Sequence, residues 1–249
     1  MPSEDFKRFE ILTYEDFRRM ADDESLSPHE KIGFPNSYRE GKEVAIFADI
    51  TAKLSALQTP DRTVLDIGPG CSGLPHMLID LCRRMESVLI LVDSAEMLGQ
   101  LPEEPFIRKL PGHFPDEISL EEYAAAVDVV LVYSVLHYVF DEDGLWPFLD
   151  RALSLLASGG AMLLGDIPNA SKRGRFFSSE AGIAFHRNFM GDDSLPDLGP
   201  ADGSAKIDDA VVLEILRRAR AKGFDAYVGP QSDDLPMANR REDILIVRP

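Results

Sequence analysis

Three glycines follow a short apolar run at residues 64–73, which read VLDIGPGCSG. They are Gly68, Gly70 and Gly73, and an acidic residue, Asp66, stands two positions before the first. Because glycine has no Cβ, Gly68 and Gly70 let the backbone turn tightly and touch a ligand directly. A buried strand, a glycine turn and a helical pattern form the start of a mononucleotide-binding βαβ unit. The segment therefore predicts a cavity for a nucleoside-containing cofactor.

The charge of Asp66 separates two classes of cofactor that use such a turn. Its carboxylate would repel the pyrophosphate of a dinucleotide, but it would attract a nucleoside that carries an ammonium and a sulfonium and no phosphate. An acid that merely caps the turn is the alternative. The segment resembles the first motif of the class I S-adenosylmethionine (SAM)-dependent methyltransferases, (D/E)-x-G-x-G-x-G, with the third glycine displaced by one position. The resemblance implies SAM as cofactor, S-adenosylhomocysteine (SAH) as product, and a cofactor site that includes Asp66, Gly68, Pro69 and Gly70.

A second acidic residue ends the next apolar run. Residues 87–92 read SVLILV and predict a buried parallel strand that is followed by Asp93. An acid about 20 residues after the glycines can accept hydrogen bonds from both ribose hydroxyls, in dehydrogenases as well as in methyltransferases. A helix is predicted to start at Ser94, and the family pattern places Met97 beside the adenine, although a core methionine is the alternative. We expect all three residues at the cofactor.

The loop PGHFPDEI follows a short predicted strand over residues 106–110. Where the resembled family places an acid against the adenine amino group, this chain has His113, and Asp116 stands three residues later. Either side chain is expected to face the adenine, with Phe114 between them in the sequence. The residues leave this choice open.

The segment DVVLVYSVLHYV predicts a fourth strand over residues 128–134 and is the second match to the family. In that family this strand end lies beside the transferred methyl group, which implies that Ser134 contacts the cofactor and Tyr138 the acceptor. His137 could take a proton from a hydroxyl nucleophile, because an imidazole titrates near neutral pH. A structural histidine is the alternative, and Asp166, at the end of a fifth predicted strand, is the second candidate base.

Basic residues are concentrated in one segment of an acidic chain. Residues 167–206 contain Lys172, Arg173, Arg175 and Arg187, interleaved with Phe176, Phe177, Phe185 and Phe189. Because cationic side chains bind carboxylates and phosphates, we expect these four basic residues to bind an anionic acceptor. A solvated helix face whose cations balance nearby acids is the alternative. From the N-terminal segment, Tyr38 is expected to meet the acceptor, and Tyr14 and Phe34 are further candidates.

The elements around these motifs predict an α/β fold. Apolar runs alternate with helical patterns, as in parallel strands joined by right-handed crossovers. The last two predicted strands, residues 224–228 and 243–247, are joined by a loop too short for a crossover helix and are expected to be antiparallel. The resemblance implies a Rossmann-like, seven-stranded, mostly parallel sheet with an antiparallel last strand and helices on both faces. A helix over 144–156 is predicted to end at Gly159 and Gly160.

We expect a single methyltransferase domain over residues 1–249. Its expected parts, in chain order, are a helical N-terminal cap, a SAM-binding half, a substrate or lid insertion, and a C-terminal helix with the antiparallel strand pair, at residues 1–60, 61–166, 167–206 and 207–249. Within the cap, an ordered loop is expected at 29–41, because Pro28 borders this segment and Gly33, Pro35 and Gly41 lie in it.

Composition restricts the class of protein. The 249 residues carry a formal net charge of −17, which disfavours a nucleic-acid surface and an anionic membrane surface. Hydrophobic residues make up 45% of the chain, which is enough for a sizeable core. The two cysteines, Cys71 and Cys82, lack the spacing of metal ligands, and no apolar run is long enough to span a membrane. A cytoplasmic protein without a metal cofactor is expected.

Together these observations predict a SAM-dependent methyltransferase that modifies an oxygen or nitrogen of a small anionic metabolite. The acceptor could be a nucleotide-linked or phosphorylated sugar, because the PNxSKRxRFF run is similar to methyltransferases of bacterial surface-glycan pathways. A SAM-binding partner subunit without catalytic activity is one alternative. An NAD-dependent oxidoreductase is the other, and Asp66 and the antiparallel ending oppose it.

Overall fold

A seven-stranded sheet forms the centre of the molecule. The computed structural model describes residues 9, 12–142, 144–197 and 206–249. The strands are β1 Thr63–Ile67, β2 Val88–Asp93, β3 Ile107–Pro111, β4 Val127–Tyr133, β5 Leu156–Pro168, β6 Asp225–Pro230 and β7 Arg241–Val247. Their order in the sheet is β3-β2-β1-β4-β5-β7-β6. β7 runs antiparallel to both of its neighbours, and the remaining pairings are parallel. The predicted fold class and the antiparallel strand pair are confirmed.

Helices surround the sheet. In chain order they are α1 Tyr14–Asp22, α2 Pro28–Lys31, α3 Asn36–Arg39, α4 Glu43–Lys53, α5 Gly73–Arg84, α6 Ala95–Gly99, α7 Leu136–Asp141, α8 Leu145–Leu155, α9 Ala170–Phe177, α10 Glu180–Met190 and α11 Asp209–Ala221. None of the helices in the described part of the chain combines the length and the apolarity that crossing a bilayer requires.

Two hydrophobic clusters lie on the two faces of the sheet. On one face, Ile46 of α4 and Leu78 of α5 pack against Val64 of β1. On the other face, Phe148 of α8 and Ile215 of α11 pack in a second cluster. Both faces of the central strands are therefore buried, which explains their nearly continuous apolar runs. The sheet faces are covered by helices, and polar residues lie at the carboxyl ends of its strands.

The predicted glycine cap of α8 is wrong. The helix ends at Leu155, and the chain passes directly into β5 at Leu156, which pairs with Val127. Gly159 and Gly160 lie inside this strand. A Cβ on Gly160 would stand 2.9 Å from the carbonyl oxygen of Val127. Gly160 is therefore required by the close approach of two strands and not by a helix end.

The predicted loop at 29–41 contains two short helices. Ser27 caps α2 through a capping box with Glu30, and Pro28 occupies the first turn. Pro35 precedes α3. These proline and serine signals are helix starts, which the loop interpretation overlooked. The two short helices bring residues 32–39 over the carboxyl ends of the strands, where they form one wall of a cavity.

Candidate functional site

A cavity of about 950 Å³, part of it open to solvent, lies at the carboxyl ends of β1, β2 and β4. The sheet contributes the glycine turn after β1, Asp93 at the end of β2 and Ser134 after β4. The N-terminal segment closes the opposite side with Tyr14, Phe17, Ile32, Phe34 and Arg39. Such strand ends are where α/β proteins bind ligands.

The glycine turn after β1 is held by its neighbours. Gly68 and Gly70 have φ values of +72° and +64°, a region that other residues rarely adopt. A Cβ on Gly68 would stand 2.6 Å from Cγ2 of Val135, and one on Gly70 would stand 2.5 Å from Cγ2 of Ile32. The turn therefore requires glycine at both positions, as the sequence suggested.

The amide groups of this turn already have acceptors. The Gly68 N–H donates to the carbonyl oxygen of Val92 (2.8 Å), and the Gly70 N–H donates to Oδ2 of Asp93 (3.0 Å). The Gly73 N–H donates to Oε1 of Glu43 (2.9 Å). Two of the three acceptors are carboxylates. Sequence reasoning missed Glu43, because it reaches the turn from α4, which lies 30 residues upstream.

Asp93 links the turn to the cavity. Besides accepting from Gly70, its Oδ1 accepts from the backbone N–H of Ser94 (2.7 Å). Burial raises the pKa of Asp93 to about 6, and the two backbone donors counteract part of that rise. Each carboxylate oxygen retains a second lone pair that a hydroxyl donor could use. Asp93 thus combines cavity exposure with free acceptor capacity.

Ser94 and Met97 have structural contacts of their own. The Ser94 hydroxyl accepts from the Met97 backbone N–H and caps α6, and Ser94 is buried outside the cavity lining. Met97 does line the cavity, and its buried side chain also packs in a small cluster with Ala21 and Cys71. Met97 therefore both lines the cavity and packs in the core, and its contact with an adenine stays a prediction.

Of the two predicted adenine contacts, the structure brings His113 into the cavity together with Phe114, while Asp116 is exposed and does not line it. Nε2 of His113 lies 3.2 Å from Oε2 of Glu142, and its ring centroid lies 4.6 Å from that of Tyr14. Phe114 packs edge-on against Phe148. This end of the cavity is thus walled by rings.

The predicted contact between Asp66 and the cofactor is not supported by the geometry. Asp66 is 5% exposed and is absent from the cavity lining. Side chains alternate along a strand, so Asp66 shares the face of Val64, which packs toward α4 and α5. Burial, and then the charge of Asp93, raise the pKa of Asp66 to about 8. Asp66 lies behind the turn, where it can orient the loop.

Asp166 is the centre of a buried hydrogen-bond cluster. Its Oδ2 accepts from Arg39 (3.2 Å), from Arg241 (3.0 Å) and from the Ser134 hydroxyl (2.5 Å). Asp166 and Ser134 both have positive φ values, +59° and +61°. Asp166 is also absent from the cavity lining. The geometry therefore argues against Asp166 as the general base.

His137 is also poorly suited to act as a base. Burial, followed by the charge of Arg241, lowers its pKa to about 3. Its Nδ1 is buried without a hydrogen-bond partner in the described part of the chain, and His137 does not line the cavity. Its ring lies 3.9 Å from that of Tyr138, which does line the cavity. The structural interpretation of His137 fits this environment better.

The four basic residues of the insertion do not line the cavity. Arg175 forms an exposed ion pair with Asp209, and Arg187 lies 4.0 Å from Asp193 on the surface. Lys172 Nζ donates to the carbonyl oxygen of Arg241 (2.6 Å), and Arg173 donates to that of Asp197 (2.8 Å). For Arg175 and Arg187 the structure matches the alternative of a surface that balances its own charges.

The Arg240 cluster lies outside the cavity and consists of Arg240, Arg173 and Phe177. The guanidinium carbon of Arg173 lies 5.1 Å from the centroid of the Phe177 ring, and that of Arg240 lies 5.6 Å from it. Tyr38, which is absent from the cavity lining, is among the groups whose charge acts on Arg240. Among the residues with described positions, no group of three or more His, Cys, Asp or Glu side chains could hold a metal ion.

Comparisons with known proteins agree with this fold. No protein-family model matches the chain. A segment of CymA from Salinispora arenicola (strain CNS-205), described as a probable non-canonical nonribosomal peptide synthetase, is 26% identical over 204 residues. That match covers 74% of this chain but 2% of CymA.

Two solved structures illustrate the structural likeness. Phosphoethanolamine N-methyltransferase 1 of Haemonchus contortus, in complex with phosphoethanolamine and SAH, has a TM-score of 0.62 at 16% identity and covers 95% of this chain and 50% of its own. The plantazolicin methyltransferase BpumL, in complex with a monoazolic desmethylPZN analogue and SAH, has a TM-score of 0.57 at 15% identity, with 98% of each chain covered. The likeness shows a Rossmann-like methyltransferase fold.

Proposed function

We propose that this chain is a SAM-dependent methyltransferase that acts on a small molecule. The observation that carries the proposal is the occupation of the glycine-turn amides by the acceptors Val92, Asp93 and Glu43. In a dinucleotide site these N–H groups would bind the pyrophosphate, and two carboxylates beside them would repel it. The same arrangement is compatible with a cofactor that carries no phosphate. This opposes the NAD-dependent oxidoreductase.

The cavity residues fit the parts of the cofactor. In this proposal Asp93 accepts hydrogen bonds from the ribose hydroxyls, and the adenine lies among Met97, Phe114 and His113. The amino-acid end lies beside Gly68 and Ser134. The lining is mainly apolar with a few polar groups, which is typical of small-molecule sites.

The residues of this chain would act by positioning and by excluding water. When bound, SAM supplies a methyl carbon that its sulfonium activates for in-line displacement. The wall made by Phe17, Ile32 and Phe34 would keep water out, and Tyr138 would orient the acceptor. Burial raises the pKa of Tyr138 to about 12, so its hydroxyl stays protonated at neutral pH and can donate a hydrogen bond. Tyr14, from α1, would close the cavity as part of the N-terminal cap.

The acceptor in this proposal is an anionic metabolite, such as a nucleotide-linked or phosphorylated sugar. The Arg240 cluster supports it, because Arg240 is partly buried and donates to Oδ1 of Asn239. No described carboxylate forms a salt bridge with it, and burial and the nearby Arg241 and Arg173 lower its pKa. A bound anion would offset this repulsion. In this proposal the described part of the insertion, residues 167–197 and 206, forms the acceptor side of a single domain.

Calorimetry with SAH and, separately, with NAD⁺ tests the class of cofactor. We expect saturable binding of SAH and none of NAD⁺, whereas the reverse would refute the proposal. Transfer from methyl-labelled SAM to a panel of small carboxylates, amines and phosphorylated sugars then tests for catalysis. Binding of SAH without transfer to any of these acceptors would favour a SAM-binding partner subunit without activity.

A further inference from the structure

One guanidinium lines the cofactor cavity. Among the described lining residues, Arg39 of α3 is the single lysine or arginine, and its side chain is 5% exposed. The other lining residues with carboxyl or imidazole side chains are Asp93, His113 and Glu142. Since His113 lies beside Glu142, Arg39 is the cation that a bound anion in this cavity would meet.

Much of the hydrogen-bonding capacity of Arg39 is unused. A guanidinium has five N–H donors. Nη2 donates to Oγ of Ser134 and to Oδ2 of Asp166. Within the described part of the chain, Nη1 and Nε have no acceptor, and neither belongs to the fully buried polar atoms that lack one. Three donors of this cavity-lining residue are therefore not used by the described part of the chain.

The orientation of these donors is fixed by packing. The guanidinium carbon lies 4.1 Å from the centroid of the Phe34 ring and 5.7 Å from that of Tyr133. The ion pair with Asp166 holds the Nη2 end. A planar fork held in this way is preorganised for a carboxylate.

The position of Arg39 matches one end of the proposed cofactor. Arg39 contacts Ser134, which follows β4, and Asp93 ends β2, with β1 and its glycine turn between them. Two strand spacings, about 10 Å, therefore separate Asp93 from Ser134. An amino-acid chain attached to the ribose and lying beside Gly68 would extend from Asp93 toward Arg39. We propose that Arg39 binds the carboxylate of the cofactor's amino-acid end, an inference that rests on the proposed function.

The test compares two ligands that differ by this carboxylate. SAH and decarboxylated SAH share the adenosine, the thioether and the ammonium. By calorimetry we expect the natural protein to prefer SAH by about tenfold or more, which is typical of a charge-assisted hydrogen bond. In Arg39→Gln this preference should fall to near one. Arg39→Lys should keep part of it, because the ammonium keeps the charge but loses the fork.

Arg241→Gln is the matched control. It also removes an ion pair with Asp166, but Arg241 does not line the cavity, so the preference for SAH should be unchanged. If Arg39→Gln still prefers SAH to decarboxylated SAH, even while it binds both more weakly, the inference is overturned and Arg39 has a structural role. No preference in the natural protein would also overturn it and point to an anion of the acceptor. If Arg39→Gln does not fold, Arg39→Lys decides between these results.

The same calorimetry distinguishes failure of the proposed function from failure of the inference about Arg39. If the proposed function fails, the natural protein would bind neither SAH nor its decarboxylated form. Failure of the inference alone leaves SAH binding intact and removes only the dependence of the preference on Arg39.

Discussion

Asp93 shows at the residue scale how burial tunes a ligand-binding group. Its carboxylate is half-buried at the cavity and accepts two backbone hydrogen bonds, and the net effect of desolvation and these donors is a pKa raised to about 6. An ionised carboxylate accepts from ribose hydroxyls better than a neutral one. The proposed cofactor therefore binds the ionised form, and binding draws the pKa of Asp93 downward.

This gives a prediction for the pH dependence of SAH affinity. As the pH falls below about 6, Asp93 in the free protein becomes protonated. Part of the binding free energy is then used to ionise it, so the affinity for SAH decreases. Between pH 7.5 and pH 5 the dissociation constant should rise about tenfold. Calorimetry across this range measures the change, and the proton release that accompanies binding should grow as the pH falls through 6.

Asp93→Asn is the control for this prediction. The carboxamide oxygen can still accept from the Gly70 N–H, so the turn keeps a partner, but the side chain no longer titrates. The variant should bind SAH more weakly at pH 7.5 and lose the rise at low pH. A rise of the same size in Asp93→Asn would assign the pH dependence to another group and contradict the role of Asp93.

The sequence could predict some cavity residues and not others. Gly68, Gly70 and Asp93 lie at strand ends, and the order of strands in a parallel sheet brings such ends together. Arg39 and Glu43 reach the cavity and the turn from separate N-terminal helices, at sequence distances of 95 residues from Ser134 and 30 from Gly73. No local pattern marks these two residues, because their roles arise from packing of distant segments.

At the scale of elements, the turn between β1 and α5 is the part most constrained by its surroundings. Gly68 has a positive φ and lies against Val135, which follows β4. Gly191, at the end of α10, has the same φ of +72°, but a Cβ there would meet nothing within 4 Å. The two glycines therefore separate the cost of backbone strain from the cost of a clash.

Substitution by alanine should distinguish these costs. Gly191→Ala should lower the free energy of unfolding by about 1 kcal/mol, the strain of a left-handed residue, and leave SAH affinity unchanged. Gly68→Ala should cost more, because its Cβ meets Val135 as well, and should weaken SAH binding. Thermal unfolding and calorimetry measure the two effects.

Val135→Ala completes the comparison. It removes the Cγ atoms that the new Cβ would meet, so the double variant Gly68→Ala/Val135→Ala should recover part of the SAH affinity. If Gly68→Ala and Gly191→Ala lose the same free energy of unfolding, and the double variant recovers no SAH affinity, the turn does not depend on the contact between residue 68 and Val135.

The errors of sequence interpretation were also made at the scale of elements. Gly159 and Gly160 resemble a helix cap, but β5 starts immediately after α8 and includes them. A close approach of strands produces the same residue types as a helix end, and a single sequence does not separate the two. Arg175 and Arg187 of the insertion are exposed, form ion pairs with nearby aspartates and do not line the cavity, so their charge alone does not indicate a binding site there.

For the whole molecule, the sheet and its polarity were the most predictable features. Continuous apolar runs indicated strands buried on both faces, and the short connection before β7 indicated its reversed direction. The proposed acceptor side is less predictable, because it depends on how residues from α3, α9 and the segment that leads into β7 meet around Arg240 and Phe177. The sheet sets the cofactor end of the cavity, and the surrounding helices set the rest.

The crystal structure of the protein with SAH is the most direct test of this account. We predict that the ribose hydroxyls donate to Asp93, that the adenine lies between Met97 and Phe114, and that the amides of Gly68, Gly70 and Gly73 keep their present acceptors. A ligand bound elsewhere, or an anion bound to these three amides in place of Val92, Asp93 and Glu43, would contradict it.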